Sequence, residues 1–445
     1  MAPSSSVEKK TTFGEKGGLL PGRETVGPLL LLLLCPSFVI LVWHTNYALD
    51  GSFVKLAQEI YANGLISYIY AVWPSPWTMR AWKIIFSYMG FELFLQKFVP
   101  GKEFRATITA MGNVPIYTAN GVQCYVMSLL MLGVLWYFDI FIPGDIYHLM
   151  GHLLSSMNIF ALLFCLFLTI KGYFAPSSTD AGSTGSWVVD YYWGTELYPR
   201  VFGWDVKLFT NCRFGMMFWA LGIISYAHAQ YQHIGYISNS ILVSIALQLV
   251  YITKFFWWET GYLCSMDIQH DRAGYYICWG CLVWLPCIYT SQTYYMVTHP
   301  LDLHPSLIFF FLALGIFSIW ANYDADRQRQ FFRANDGACQ IWGSNAKCIR
   351  AKYITQGGKE RNSTLLASGW WGLARHFHYI PEILASLAWS VPAFPHLMPY
   401  FYTVYLTILL VDRAWRDDDR CREKYGRYWN DYCAIVPYKI IPGII

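Results

Sequence analysis

The sequence predicts an all-α integral membrane protein with about nine or ten transmembrane helices. Three observations carry this reading. Of the 445 residues, 55% are hydrophobic and only 13% charged, where soluble domains run at about 25% charged. The apolar residues come in long blocks. Lys and Arg gather at the ends of those blocks and the net charge is only +4. That pattern suits membrane anchoring and argues against nucleic acid binding, which needs a continuous basic face.

Residues 1–26 are polar and carry Lys9, Lys10, Lys16 and Arg23. The first apolar run comes late and no small-residue cleavage site stands out before the second span begins, so the sequence predicts a cytosolic tail and a retained span. That span covers Pro28 to Trp43, with leucine at every position from Leu29 to Leu34. Residues 53–73 are amphipathic and suit the bilayer interface. Spans are expected at Trp77 to Val99, Gln123 to Ile142 and His152 to Ile170, with a turn-rich loop from Asn113 to Asn120. His148 and His152 stand at i, i+4, but no third ligand lies nearby, so a polar helix entry is expected and no metal site. Residues 172–193 read as a Gly/Ser loop with neither a Walker lysine nor a G-x-G-x-x-G spacing. No such spacing occurs elsewhere either, so any nicotinamide cofactor binds without a Rossmann domain.

Further spans are expected at Phe214 to Gln230, Ile237 to Trp258, Tyr275 to Tyr294 and Pro305 to Asn322. Between the second and third of these lies the most polar stretch of the apolar body: Glu259, Asp267, His270, Asp271 and Arg272. Facing lipid these would cost several kcal/mol, so they face inward. There they either line a cavity or tie helices together, through an Asp271–Arg272 or Glu259–Lys254 bridge. Cys278 and Cys281 have the spacing of a redox or zinc half-site, but no second pair accompanies them. They read as packing thiols, like Cys35, Cys124 and Cys165.

Residues 323–364 form the longest hydrophilic insert, rich in Arg and Lys (Arg327, Arg329, Arg333, Lys347, Arg350, Lys352, Lys359, Arg361). The excess places it in the cytosol, where the sequon Asn362-Ser363-Thr364 goes unused. The block Ile380 to Asp412 is too short for two full spans with a turn and holds Pro381, Pro392, Pro395 and Pro399. It reads as a hairpin of short, broken helices against a pocket.

Two stretches carry candidate chemistry. In Leu365 to Tyr379, Trp370 and Trp371 lie between two glycines, with Arg375, His376 and His378 close behind. Aromatic faces beside cationic donors suit a phosphate-bearing heteroaromatic ligand, and equally an interfacial aromatic belt. On a helix from Arg413 onward, Arg413, Asp417, Arg420 and Lys424 share one face. That face fits a dinucleotide site or a basic stop signal beside anionic lipid.

Several strings resemble the sterol reductase family, which includes the reductase part of the lamin B receptor. LLASGWWGLARH at 365–376 resembles the family's second signature. GTELYPR at 194–200 with NCRFG at 211–215 resembles the first. KFFWWE at 254–259, MDIQHDRAG at 266–274 and the tail RDDDRC at 416–421, with Lys424, Tyr425, Gly426 and Pro437 to Ile445, also match. Only the first twenty-odd residues fall outside the likeness.

The resemblance implies a division into a cytosolic tail at 1–26, a multi-span domain at 27–322 and an NADPH-binding region at 323–445. For the cofactor it implies Arg329, Arg333, Leu366, Trp371, His378, Tyr379, Asp417, Cys421, Lys424, Tyr425 and Tyr432. His378 stands where animal members have Asn, and Arg329 where some members have Lys. The implied reaction is NADPH-dependent reduction of the C7=C8 bond of 5,7-diene sterols drawn from the bilayer. Protonation at C8 would give an allylic cation over C7 and C5, quenched by hydride at C7. Candidate acids are Tyr289, Asp267 and Glu259. The alternatives are reduction of the Δ14 bond, or sterol binding without catalysis. The resemblance also implies residence in the endoplasmic reticulum membrane, both termini cytosolic, among membrane lipid and other sterol-pathway membrane enzymes.

Overall fold

The computed structural model describes residues 19, 22–23, 25–354 and 360–445. Lys9, Lys10, Lys16 and Lys359 lie outside the described residues, as does most of the expected N-terminal tail. The protein is a multi-pass helical membrane protein. Among the described residues, five helices are long and apolar enough to cross a bilayer: Val26–Ala48, Asp145–Phe174, Leu208–Ile234, Asn239–Trp257 and Pro305–Ala334. Helix also occupies the other expected spans, as Met79–Phe98, Gly121–Tyr137 and a broken run from Tyr275 to Met296. A helix satisfies its backbone within itself, which lipid demands. The first helix packs on Asp145–Phe174 at Gly151, where any Cβ would collide with the Trp43 indole.

Several expectations are corrected. The segment read as a loop at Asn113 to Asn120 contains a strand, Ile116–Ala119, paired antiparallel with Lys102–Arg105. Residues 172–193 are not all loop: the preceding helix runs to Phe174, and Trp187–Trp193 forms a short helix. Its Asp190 accepts hydrogen bonds from Thr184 N and Oγ1, Ser183 Oγ and Tyr173 OH. The Gly/Ser loop therefore spends its polar groups on a protein carboxylate. His148 and His152 lie within the helix Asp145–Phe174, where His152 Nδ1 is 3.0 Å from Ser75 O and from Thr78 Oγ1.

Two π-helical stretches, Leu208–Met216 and Gly280–Tyr289, face each other in the centre of the molecule. Such widened turns occur often at functional sites. The helix Pro305–Ala334 is 30 residues long, roughly 45 Å, so its last turns outrun a hydrocarbon core of about 30 Å. The sequence reading ended this span at Asn322. In fact the helix carries on, because no Gly or Pro interrupts residues 316–334 and its polar turns are cross-linked. Asp324 binds Arg327 at 2.6 Å and Gln328 at 2.7 Å, and Asp326 binds Arg329 at 3.0 Å. The insert then folds as two hairpins, Gln340–Ile341 with Ser344–Asn345, and Cys348–Ile354 with Glu360–Leu366.

After these hairpins comes a helical hairpin. Its first limb is Tyr379–Ser390, and short 3-10 turns at Val391–Ala393 and Met398–Tyr400 form the tip. The second limb, Phe401–Tyr425, runs without a break through Asp412 into the charged C-terminal face. The first limb is buried near its end, where Trp389 O accepts a hydrogen bond from Ser244 Oγ at 2.7 Å on the helix Asn239–Trp257, while Phe394 to Leu397 at the tip are exposed.

Candidate functional site

The site begins where the strand Glu360–Leu366 turns back toward the helix Pro305–Ala334. Gly369 makes that turn at φ +62, and a Cβ there would run into the Gln328 side chain and Ile341. The turn sends the two tryptophans in different directions. Trp370 stacks on Phe377 at 4.8 Å, meets Trp342 at 5.0 Å and Trp320 at 6.4 Å, and donates to Asp324 Oδ2 at 2.8 Å. Trp320 and Trp342 are exposed, so Trp370 joins an outer aromatic belt. Trp371 turns inward. Its indole donates to Ala325 O at 2.7 Å, carries the Arg329 guanidinium 4.5 Å over its ring and meets His378 at 4.8 Å. The two neighbouring tryptophans therefore meet different surroundings, one exposed and aromatic, the other buried and cationic.

From Trp371 a chain of contacts leads through most of the residues that the resemblance implies for the cofactor. Tyr432 OH donates to Leu366 O at 3.0 Å and lies 3.5 Å from Trp371 O. Tyr379 stacks on His376 at 5.3 Å and meets His378 at 4.3 Å. From the charged face of Phe401–Tyr425, Asp417 pairs with Arg420 at 2.5 Å, lies 3.8 Å from His376 Nε2 and accepts from Cys421 Sγ at 3.9 Å. Lys424 Nζ lies 4.2 Å over Tyr353 and 5.1 Å over Tyr425, whose hydroxyl is 3.3 Å from Ser363 Oγ. Arg333 is exposed and within electrostatic reach of Arg329, Lys424 and Tyr425.

The electrostatics of this cleft favour an anion. Burial pushes the His376 imidazole down to about 4 and His378 to about 3, so both are neutral near pH 7. Burial also lowers Lys424, with Arg420 and Arg333 adding to the effect. Burial would raise Asp417, but Arg420 and His376 outweigh it and hold the carboxyl well below the usual range. His376 Nε2, His378 Nδ1 and Arg420 Nε are buried with no hydrogen-bond partner among the described residues. Unpaired buried polar atoms beside three further cationic side chains and flat aromatic faces are the complement of a phosphate-bearing heteroaromatic group. His376 and Arg420, which helical and motif spacing already mark as candidates, join this group, although the resemblance does not imply them for the cofactor. His270 reaches Arg420, Lys424 and Asp417 only through the fold.

The candidate acids lie apart from one another. Glu259 is buried, with Oε1 2.5 Å from Arg213 Nη1 and Oε2 accepting from Gly121 N at 2.9 Å. Both oxygens act as acceptors, the opposite of what a proton donor needs. Asp267 is held by a two-pronged Arg413, at 2.7 and 3.3 Å. Tyr289 packs against Tyr402 at 4.7 Å, Trp219 at 5.3 Å and Tyr405 at 6.3 Å. Trp284, 5.1 Å from Tyr405, and Phe38 extend this aromatic compartment. The Asp267–Arg413 pair sits between compartment and cleft, within electrostatic reach of both Tyr289 and Tyr379. The expected short-range bridges are replaced by distant partners. Asp271 binds Arg416 at 2.7 Å, Lys254 binds Asn322 at 2.6 Å, and Arg272 bonds the Gly182 carbonyl. The cause is direction: Asp271 and Arg272 are adjacent in the chain, but Asp271 points to the helix Phe401–Tyr425 and Arg272 to the loop at Gly182. Among the described residues, no three His, Cys, Asp or Glu side chains converge as a metal site.

Comparison with known proteins agrees with this arrangement. Residues 13–445 match the model of the ergosterol biosynthesis ERG4/ERG24 family. The chain is 52% identical to the 7-dehydrocholesterol reductase of Arabidopsis thaliana over 418 residues, 94% of this chain and 96% of the relative. It is 37% identical to the enzyme of that name from Xenopus laevis over 382 residues, 82% and 81% of the two chains. To a Delta(14)-sterol reductase of Methylotuvimicrobium alcaliphilum it is 33% identical over 418 residues, 94% of each. With the family model matched over nearly its whole length, the chain belongs to the ERG4/ERG24 family of sterol reductases, enzymes that reduce a carbon–carbon double bond of a sterol.

Proposed function

We propose that this protein is an NADPH-dependent reductase of the C7=C8 double bond of 5,7-diene sterols, acting in the endoplasmic reticulum membrane with both termini in the cytosol. One observation carries the reading. The Asp267–Arg413 pair links the cationic, aromatic cluster around Trp371 to the buried aromatic cluster around Tyr289. A polar cofactor and a rigid apolar substrate thus have adjoining places. The Δ7 specificity is supported by 52% and 37% identity to proteins named as 7-dehydrocholesterol reductases, against 33% for a Delta(14)-sterol reductase.

In this reading Arg329, Arg333 and Lys424 bind phosphate, the extra 2′-phosphate of NADPH included. Trp371 and Tyr379 offer flat faces, and Leu366 closes the apolar side. Asp417 orients Arg420, and His378 donates from its unpartnered ring nitrogen. Cys421, Tyr425 and Tyr432 shape the wall. The chemistry the bound cofactor contributes is a hydride. The chain contributes position, dryness and the proton. Of the candidate acids, Tyr289 best suits proton transfer: it alone is free of a salt bridge and borders the aromatic compartment. Protonation at C8 leaves an allylic cation over C7 and C5, which C7 completes by accepting the hydride, so C5=C6 survives. A sterol lacking the 5,6 double bond should then react far more slowly.

The test is expression in yeast that accumulates 5,7-diene sterols. The conjugated-diene ultraviolet bands should disappear as a Δ5 sterol forms, and Asp417→Ala and Arg333→Ala should each abolish this. An untouched diene with well-expressed protein would favour Δ14 reduction, and after it sterol binding without catalysis.

A further inference from the structure

A buried lysine outside the cleft is spent entirely on one loop. Lys207 is 0% exposed. Its ammonium donates to Ile268 O at 2.8 Å and Asp271 O at 2.7 Å. It sits between the strand Trp204–Asp205 and the π-helix Leu208–Met216, and Asp205 Oδ1 accepts Leu208 N at 2.9 Å. Its base is therefore fixed by backbone structure. Desolvating an ammonium is costly unless its protons find partners. Here both partners are carbonyls of the same short segment, Met266 to Asp271.

Three residues of that segment reach across to the charged helix. Asp267 grips Arg413, Asp271 binds Arg416 at 2.7 and 3.0 Å, and His270 lies beside Asp417, Arg420 and Lys424. The chain entering the loop is tied to the same π-helix, since Glu259 binds Arg213. The loop is thus the seam between the aromatic cluster and the charged helix, held by Lys207 at the start of the π-helix, while Arg213 within that helix holds the chain upstream of the loop.

We propose that Lys207 is a positioning residue for the reduction: by holding the Ile268 and Asp271 carbonyls it sets the height of the seam loop, and through Asp267 and Asp271 the register of the charged helix against the sterol compartment. This rests on the cofactor reading above. Lys207 touches neither sterol nor cofactor. Its loss should let the seam slide, and a misplacement on the order of 1 Å costs a reaction up to about a hundredfold in rate.

The test compares wild type, Lys207→Met and Lys207→Arg, purified in lipid nanodiscs. Lys207→Met keeps the length and removes the donors. Turnover should fall by about tenfold to a hundredfold with KM for the sterol nearly unchanged, and Arg should restore part of it. Amide exchange should speed up at residues 266–271 and 413–420 and stay unchanged in the helix Asp145–Phe174. Normal kinetics and exchange in Lys207→Met would overturn the proposal. So would a variant that merely gives less folded protein with unaltered constants. If Lys207→Met does not fold, Asp271→Asn loosens the same seam from the helix side, and it must show the same turnover loss and local exchange. The exchange readout needs no cofactor. A wild type that neither binds NADPH nor reduces the diene would sink the function reading, while unchanged exchange would sink the seam alone.

Discussion

Replacing Glu259 by Gln separates a catalytic acid from a structural counter-ion. The carboxylate faces Arg213, which is 0% exposed against its own 3%, with oxygen and nitrogen 2.5 Å apart. Gln is nearly isosteric, but its amide keeps only one acceptor oxygen. Either the guanidinium or Gly121 N then loses its partner, and the buried positive charge is no longer neutralised. Breaking a buried pair from one side costs about 3–5 kcal/mol, a large part of the roughly 5–15 kcal/mol that separates folded from unfolded chains. The midpoint of thermal unfolding should fall on the order of 5 °C, with much reduced yield. The double replacement Glu259→Met with Arg213→Met should recover most of that loss, because two uncharged side chains leave no orphan. Size-exclusion chromatography after heating, in one detergent for all variants, measures this. If Glu259→Gln unfolds like wild type yet loses all turnover, the residue is the proton donor and the structural reasoning fails.

Trp371→Ala removes the ring beneath Arg329 and the bond to Ala325 O. A cation–π contact of roughly 1–2 kcal/mol predicts a KM for NADPH higher by about tenfold and a smaller change in turnover, read by steady-state kinetics. Gly369→Ala should lower yield and stability together, since the residue sits at φ +62 with the Gln328 side chain in the way; wild-type melting would contradict the geometry. The imidazoles set a pH limit. With His376 at about 4 and His378 at about 3 in the fold, against about 6.5 unfolded, the unfolded chain takes up protons first as pH drops. Stability is therefore whole above about pH 6.5 and falls between 6.5 and 4, by up to about 1.4 kcal/mol per unit for each imidazole. Melting curves across that range should show the slope, and His376→Gln should roughly halve it.

The apolar blocks were legible as helices because lipid forces each segment to satisfy its own backbone, so the signal is local. The face shared by Arg413, Asp417, Arg420 and Lys424 was legible for the same reason, since helical spacing is a property of consecutive residues. The strings around Trp371 and Asp417 resemble a family's cofactor region, and the fold brings His376 of the first string to Asp417 of the second. Three matters needed the tertiary structure. Glu259 with Arg213, Asp267 with Arg413 and Asp271 with Arg416 are separated by 46, 146 and 145 positions. The near partners that the sequence offers for Glu259 and Asp271 are not the ones the fold supplies, and it offers none for Asp267, because charge pairing follows distance in space. The two adjacent tryptophans divide between belt and cleft only because Gly369 turns the chain at that point. Lys207 looked unremarkable in the sequence, since what it holds is two carbonyls that carry no side-chain signal. Sequence determined which segments are helices and which chemistry each face carries, because both depend on neighbours in the chain. Only the tertiary structure decided which charges meet and where cleft and compartment join, because those contacts are made by residues that the chain brings together from far apart.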